Sequence, residues 1–177
     1  MSLRPFIGFC NHTTQVSIVG DPARGLLYVA MSNWCRVAAF DLATGAYVGL
    51  AAGTPGLVPY TNTCGFSGDG QLAAGANATR LSNTLGQIDV ASNGDLYITD
   101  TGNHRVRRVA FATGIITTVA GTGLAASLGD LRQAVNASLN APRGVKYVET
   151  PDSTVPGGVR KLLYITEGSS LRRVLLN

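Results

Sequence analysis

The chain has 177 residues, a formal net charge of +4 and only 14% charged residues. Its 45% hydrophobic content argues against a disordered protein, and no apolar run approaches the roughly 18 residues that a membrane-spanning helix needs. The positive charge is spread along the chain, which disfavours a basic arm for nucleic acid. With 22 glycines and 7 prolines between short apolar stretches, the sequence is typical of an all-β protein with many turns.

The first predicted element is an apolar strand at Arg4–Phe9, "RPFIGF", followed by a turn. No long apolar segment of a signal peptide precedes it. Asn11, Asn77 and Asn136 lie in Asn-X-Ser/Thr tripeptides, which would permit glycosylation of a secreted chain. The sequence therefore leaves the compartment unknown, with an extracellular protein as one option.

From Gly25 onward the chain repeats itself. "GLLYVAMSNWCRVAAFDLATGAYVGLAAGT" is followed by "GDLYITDTGNHRVRRVAFATGIITTVAGT", and Tyr28 lies 69 positions before Tyr97. A third copy, "KLLYITEGSSLRRVLLN", places Tyr164 67 positions after Tyr97 and matches Arg172–Val174 to Arg107–Val109. The connecting segments repeat as well, "GDGQLAAGANATRLSNTLG" after the first copy and "GDLRQAVNASLNAPRG" after the second.

Each copy contains strand-like runs separated by turn signals such as "SNGD" and "ATG". In the second copy the predicted strands are Gln87–Val90, Leu96–Thr99, Arg105–Val109 and Ile115–Ala120. Four short antiparallel strands in each repeat form a propeller blade. A sandwich of consecutive hairpins is the alternative, but it would not need the same Tyr, Arg and Thr-Gly positions in every copy.

The stretch 66–123 closely resembles the NHL repeat, a family named for a triplet that stands here as Asn103-His104-Arg105. The resemblance is weaker in the third copy and weakest in the first, where Cys35 replaces the histidine. Three NHL-like units together cover most of the chain. The resemblance implies a β-propeller, which is most often six-bladed in this family.

We therefore predict a single all-β propeller domain or partial propeller over 1–177. Blade one runs from about 15 to 53, blade two from about 85 to 121, and blade three from about 143 to 176. Blade three lacks an outer strand, and Arg4–Phe9 is the candidate to complete it. Three blades alone would leave two blade faces uncovered, so two hypotheses remain open: two chains close a six-bladed ring with twofold symmetry, or the chain belongs to a longer propeller.

The three cysteines are too few and too widely spaced for a zinc cluster. In a propeller, the turn between strands two and three lies on the same rim as the links between blades. Cys35 falls in such a turn, whereas Cys10 and Cys64 fall in link positions. A Cys10–Cys35 or a Cys35–Cys64 disulfide would then be within bridging range, but reduced cysteines in a cytosolic protein are the favoured interpretation.

Asp100, His104 and Arg105 would suit a catalytic acid–base group at the rim. Because they belong to the repeat itself, we interpret them as structural: Asp100 and Asn103 shape the hairpin, and Arg105 pairs with an acidic neighbour. Two histidines in the chain cannot supply a three-histidine metal site. Asp69 alone does not make a calcium loop, so no metal or cofactor is predicted.

The function predicted from these observations is a non-catalytic module or scaffold that binds another protein, with a homo-oligomer as one form of assembly. The long links at 54–84 and 122–142 would carry the specificity, and the insert at 150–160 would lengthen the opposite rim. The candidate binding-loop residues are Phe66, Asp69, Arg80, Asp130 and Arg132.

Two alternatives come from related propellers. One is an enzyme, similar to a lyase or lactonase, with its site at the central channel. The other is binding of single-stranded RNA by the arginines of the third strands, Arg105, Arg107, Arg108, Arg172 and Arg173. The content of aromatic residues is only 7%, which makes RNA the weaker alternative because stacking on bases needs aromatic side chains.

Overall fold

The computed structural model describes residues 16–55, 64–75 and 79–176. Within these ranges the chain forms eleven strands in three antiparallel sheets, with only three short 3-10 turns. Each sheet is one blade of the predicted propeller architecture, so the all-β fold class is confirmed. No helix in the described part of the chain has the length and hydropathy required to cross a bilayer.

Blade one is a four-stranded sheet in which the strands lie in chain order. It consists of β1 (Val16–Asp21), β2 (Leu26–Met31), β3 (Arg36–Asp41) and β4 (Tyr47–Ala52). A 3-10 turn at Ser32–Trp34 joins its second and third strands.

Blade two has the same order and the same turn, at Thr101–Asn103. Its strands are β5 (Ile88–Val90), β6 (Leu96–Asp100), β7 (Arg105–Val109) and β8 (Ile116–Ala120). All four predicted strands of the second copy are therefore present, and their bounds differ by no more than one residue at either end.

Blade three contains three strands in the described residues, in the order β11-β10-β9. These are β9 (Gly144–Pro151), β10 (Val159–Glu167) and β11 (Ser170–Leu176). The predicted strand at Arg4–Phe9 lies outside the described residues, so whether it completes this blade stays a prediction.

The insert at 150–160 begins and ends in strand, and residues 152–158 form the reversal between β9 and β10. β9 and β10 remain paired as far as Pro151 and Val159, and the reversal between them is closed by a hydrogen bond from the Asp152 amide to the Gly158 carbonyl. An ion pair between Arg160 and Asp152 adds to the end of the hairpin. Pro156, Gly157 and Gly158 lie in this reversal, and the paired strands extend into the insert only as far as Pro151 and Val159.

The blades pack face to face around their first strands, since β1 contacts β5 and β5 contacts β9. One buried cluster lies between blades one and two, and includes Tyr28, Leu85 and Ile98. A second lies between blades two and three, and includes Tyr97, Leu163 and Ile165. Blade two is thus covered on both faces, while each end blade has one face without a neighbouring blade in the described residues.

These two outer faces are partly apolar. On blade one, Val29, Met31, Ala38 and Phe40 form a third cluster, and Ile18, which pairs with Val29, is 64% exposed. On blade three the corresponding face exposes Leu171 and Leu175, at 65% and 57%.

Candidate binding rim

The rim that carries the links is built on a repeated corner after the second strand of blades one and two. The residue that ends each 3-10 turn has a left-handed backbone: Cys35 at φ 50° and His104 at φ 54°. The first residue of each turn holds the end of the following link, because Ser32 Oγ donates to the Leu85 carbonyl at 3.1 Å and Thr101 Oγ1 to the Pro142 carbonyl at 2.6 Å. The histidine of the repeat is thus a corner residue, as its absence from the other copies suggested.

The side chains at these two corners fasten the links by different chemistry. His104 Nδ1 accepts a hydrogen bond from the Ala141 amide at 3.0 Å. Cys35 forms a disulfide with Cys64, with 5.3 Å between their Cα atoms. Both contacts tie a corner to the link that leads into the next blade.

The Cys35–Cys64 bond settles the choice between the two pairings predicted from the sequence. The Cys10–Cys35 pairing is excluded, because Cys35 is bonded to Cys64. Cys10 lies outside the described residues.

Asp100 and Asn103 shape the corner of blade two, as predicted, and also hold the preceding link. Asp100 accepts hydrogen bonds from the Ser82 amide and from Asn103 Nδ2, both at 2.8 Å. Asn103 Nδ2 also donates to the Gly65 carbonyl at 2.6 Å. Burial raises the pKa of the Asp100 carboxyl above its ordinary value, and these hydrogen bonds oppose that shift.

The predicted ion pair of Arg105 is made instead by Arg107. The Arg107 side chain is fully buried and contacts Asp69 at 2.7 Å and Asp100 at 3.4 Å. Arg105 donates to the carbonyls of Asn103 and Thr122, at 3.1 and 2.5 Å. Residues two apart on a strand face the same side of the sheet, so Arg105 and Arg107 both face the first link, and the sequence did not indicate which of them meets the acidic side chain.

The same arrangement recurs in blade three. Arg172 contacts Asp130 at 2.6 Å and Glu167 at 3.0 Å, so Asp130 corresponds to Asp69 and Glu167 to Asp100. The sequence signal for this pairing was present in the repeated Gly-Asp step of the links and the repeated third-strand arginine. It was missed because the aspartates were interpreted as free binding-loop residues.

The other predicted binding-loop residues are dispersed. Phe66 is 42% exposed and lies against the Arg105 guanidinium, which is 3.8 Å from the ring centroid. The Arg80 amide donates to Ser67 Oγ on the same link, whereas Arg132 lines a groove between blades two and three. The predicted residues therefore do not form one site.

Arg105 connects the two links beside blade two. Arg105 joins Phe66 on the first link to Thr122 on the second, and Leu124, two residues on, is 62% exposed. Burial and the neighbouring Arg107 lower the pKa of Arg105 from its ordinary value. We call Phe66, Arg105 and Leu124 the rim patch.

The third-strand arginines do not lie on one basic face. Arg107 and Arg172 are each held between two carboxylates, and Arg108 lies 3.7 Å from Asp95.

Carboxylates on and beside the inner strands are also engaged. Asp89 accepts hydrogen bonds from Lys146 at 2.9 Å and the Tyr147 amide at 2.6 Å. Glu149 accepts from Tyr147 and Ser92, both at 2.7 Å. In residues 16–55, 64–75 and 79–176, no three His, Cys, Asp or Glu side chains are grouped to hold a metal ion.

Comparison with solved structures supports the architecture. The first is a crystal structure of a structural genomics protein of unknown function from Bacteroides thetaiotaomicron, with a TM-score of 0.66, 18% identity, and coverage of 89% of this chain and 34% of that one. An auxiliary nutrient binding protein from Bacteroides ovatus matches with a TM-score of 0.58, 20% identity, and coverage of 90% and 36%. A second auxiliary nutrient binding protein, from Bacteroides thetaiotaomicron, gives 0.52, 21%, and coverage of 85% and 34%.

The chain thus spans about one third of the length of the structures it matches, and at these identities the likeness concerns the fold. No curated protein sequence matches the chain. The family model of the NHL repeat matches residues 87–109, which include β6 and β7 of blade two. Blade two of this chain therefore contains an NHL repeat.

Proposed function

We infer that the chain is a non-catalytic protein-binding module in which the rim patch is the recognition surface. The observation that carries this proposal is the contact between Phe66 and Arg105, a partly exposed aromatic ring under a fixed guanidinium. Aromatic and arginine side chains are enriched among the residues that dominate protein interfaces. Leu124 extends the patch with an exposed apolar side chain.

Arg105 and the first link are held in place by hydrogen bonds within the chain. Arg105 is held by carbonyls on both of its sides, and the first link is held below it by Asn103, Asp100 and Arg107. Little conformational entropy is lost when such a surface binds, which favours affinity. An acidic group on the partner would suit the guanidinium.

Site-specific photo-cross-linking in the source cells tests this proposal. A photoreactive residue at position 124 should give discrete protein adducts, while the same residue at Ser153, an exposed position in the turn between β9 and β10, should not. Excess unmodified chain should compete for the adducts, and a Phe66→Ala chain should compete more weakly by on the order of 10-fold.

The outcomes separate the alternatives. Identical adducts from positions 124 and 153 would contradict a recognition patch on the link side. Adducts at position 124 that disappear on ribonuclease treatment would replace a protein partner with RNA.

A further inference from the structure

The outer edge of β11 (Ser170–Leu176) pairs with no strand in the described part of the chain. Beside it lies a groove of about 610 Å³, between blade three and the end of β8. Leu139, Ile165 and Val174 line the groove with apolar side chains, and Gly129–Val135 of the second link form one wall. An unpaired edge beside a groove with apolar side chains along its floor and polar ones at its walls is a site for an added strand.

Blade two shows what occupies the equivalent place when the fourth strand is present. There the first link runs "GDGQLA", and it hydrogen-bonds to the start of β8: the Gly70 amide donates to the Ile116 carbonyl at 2.8 Å and the Ile116 amide to the Gln71 carbonyl at 2.9 Å. The Ile116 side chain is fully buried between the blades.

The second link repeats this receiving geometry with "GDLRQA". Leu131 has the left-handed backbone of Gly70, at φ 67° against 82°, and the Arg132 amide donates to Gly129 as the Gln71 amide does to Gly68. Yet among the described residues, the Leu131 amide and the Arg132 carbonyl have no partner equivalent to Ile116. The Leu131 side chain is fully exposed.

The carboxylates of Asp69 and Asp130 differ in the same way between blades two and three. Asp69 bonds Arg107 with one oxygen and Thr118 Oγ1 of β8 with the other, at 2.6 Å, and its side chain is 40% exposed. Asp130 bonds Arg172 with one oxygen and its side chain is 82% exposed. A strand placed like β8 would cover Asp130 and supply the second contact.

We propose that residues Arg4–Phe9 of a second copy of this chain occupy the groove and form the fourth strand of blade three. The sequence from Phe6 to Cys10, "FIGFC", follows the pattern of "YVGLA" in β4, Tyr47–Ala51: aromatic, β-branched, glycine, large apolar, small.

The order of the strands along the chain indicates which copy supplies the fourth strand of blade three. The fourth strand of each complete blade leads into the first strand of the blade packed beside it, as β4 precedes β5 and β8 precedes β9. Arg4–Phe9 precedes β1, so the blade that it completes should pack against blade one. Within one chain, blade two lies between blades one and three, whereas blade one of a second copy can lie against blade three.

Two such contacts, related by a twofold axis, join the outer faces that expose Ile18 on blade one and Leu171 and Leu175 on blade three. This assembly does not depend on the rim patch, so the failure of either proposal leaves the other standing.

Paired variants of the full chain test the proposal. Phe6→Asp/Phe9→Asp places charges in the proposed strand, and Ser2→Asp/Thr14→Asp adds the same charge beside it. Tagged and untagged copies should co-purify for the unmodified chain and the control, but not for Phe6→Asp/Phe9→Asp. Hydrogen exchange at the β11 amides should be slower by on the order of 100-fold in the unmodified chain and the control than in Phe6→Asp/Phe9→Asp.

Each result decides the matter. Slow exchange at β11 without co-purification would mean that the strand comes from the same chain, and would overturn the exchange between copies. Co-purification that persists in Phe6→Asp/Phe9→Asp would show that another surface joins the copies. Fast exchange at β11 in the unmodified chain would overturn strand addition altogether.

Discussion

Arg107 is the residue that most closely ties the first link to blade two. Its guanidinium is fully buried and joins Asp69 on the link to Asp100 at the corner. A buried charge is tolerated only when it is paired, so the three side chains form a unit. A repeated arginine on a third strand is a sequence signal for such a unit, but which acid it meets depends on how the link folds over the sheet.

Replacing Arg107 should therefore be far more harmful than replacing its neighbour. Arg107→Met leaves Asp100 buried without its cation, which should lower the free energy of unfolding by about 3–5 kcal/mol. Arg108→Met removes a contact whose arginine is 40% exposed and should cost less than about 1 kcal/mol. Urea denaturation of both variants checks the difference, and equal losses would contradict the burial argument.

The left-handed backbone of His104 gives a second prediction at this scale. His104→Ala and His104→Gly both lose the hydrogen bond from the Ala141 amide, but only alanine retains a Cβ at φ 54°. His104→Ala should therefore be the less stable variant by about 1 kcal/mol. Thermal unfolding of the two proteins measures this, and a more stable alanine variant would show that the corner relaxes to another conformation.

At the scale of elements, the links are the parts of the molecule that need fastening. The strands are positioned by the cores between blades, and each link adds a buried apolar side chain to those cores, Leu81 from the first and Leu139 from the second. At the corners, a disulfide and hydrogen bonds fasten the first link, and hydrogen bonds fasten the second. The stability of the link regions should therefore depend on these corner contacts as well as on packing against the blades.

Loss of the Cys35–Cys64 bond should destabilise the protein measurably. For the 29-residue separation that this bond closes, the chain-entropy model gives about 3–4 kcal/mol. Cys35→Ser, Cys64→Ser and the double variant should lose similar amounts, because each removes the same bond. Unfolding in urea tests this, and additive losses in the double variant would show that the two thiols act separately.

The contact between blades two and three includes stacked tyrosines, Tyr97 and Tyr147, with ring centroids 5.7 Å apart. Burial raises the pKa of Tyr97 to about 12, and burial with the contact to Glu149 raises that of Tyr147 above its ordinary value. The folded protein holds these protons more tightly than the unfolded chain, so stability should fall as the pH rises above about 10.

Absorbance at 295 nm follows these ionisations. At pH 11 the folded protein should show fewer ionised tyrosines than the same protein in urea, and Tyr147→Phe should reduce that deficit. An unchanged deficit in the variant would place the protected tyrosines elsewhere, for example at Tyr28, whose pKa burial also raises.

The strands of blade two could be predicted from the sequence, because the strand and turn patterns recur in the same order in each repeat. The Tyr, Arg and Thr-Gly positions predicted β6 and β7 to within one residue of their bounds. The site was less predictable, because contacts across the rim join residues about 40 positions apart, such as Asp69 and Arg107. The sequence also left open the form of the insert at 150–160, which is the tip of the hairpin of β9 and β10, paired up to Pro151 and Val159.

At the scale of the whole molecule, the central feature is the contrast between blades two and three. A similar link sequence and a similar arginine cluster occur in both blades. Of these two blades, only blade two has its fourth strand in the described residues. A groove, an unpaired strand edge and two partly apolar blade faces are what a second copy would fill or cover.

The molar mass in solution tests this account most directly. Light scattering of the unmodified full chain across a range of concentrations should give twice the 18.4 kDa of a single chain. A mass that stays at 18.4 kDa at every concentration would contradict the exchange of strands between copies.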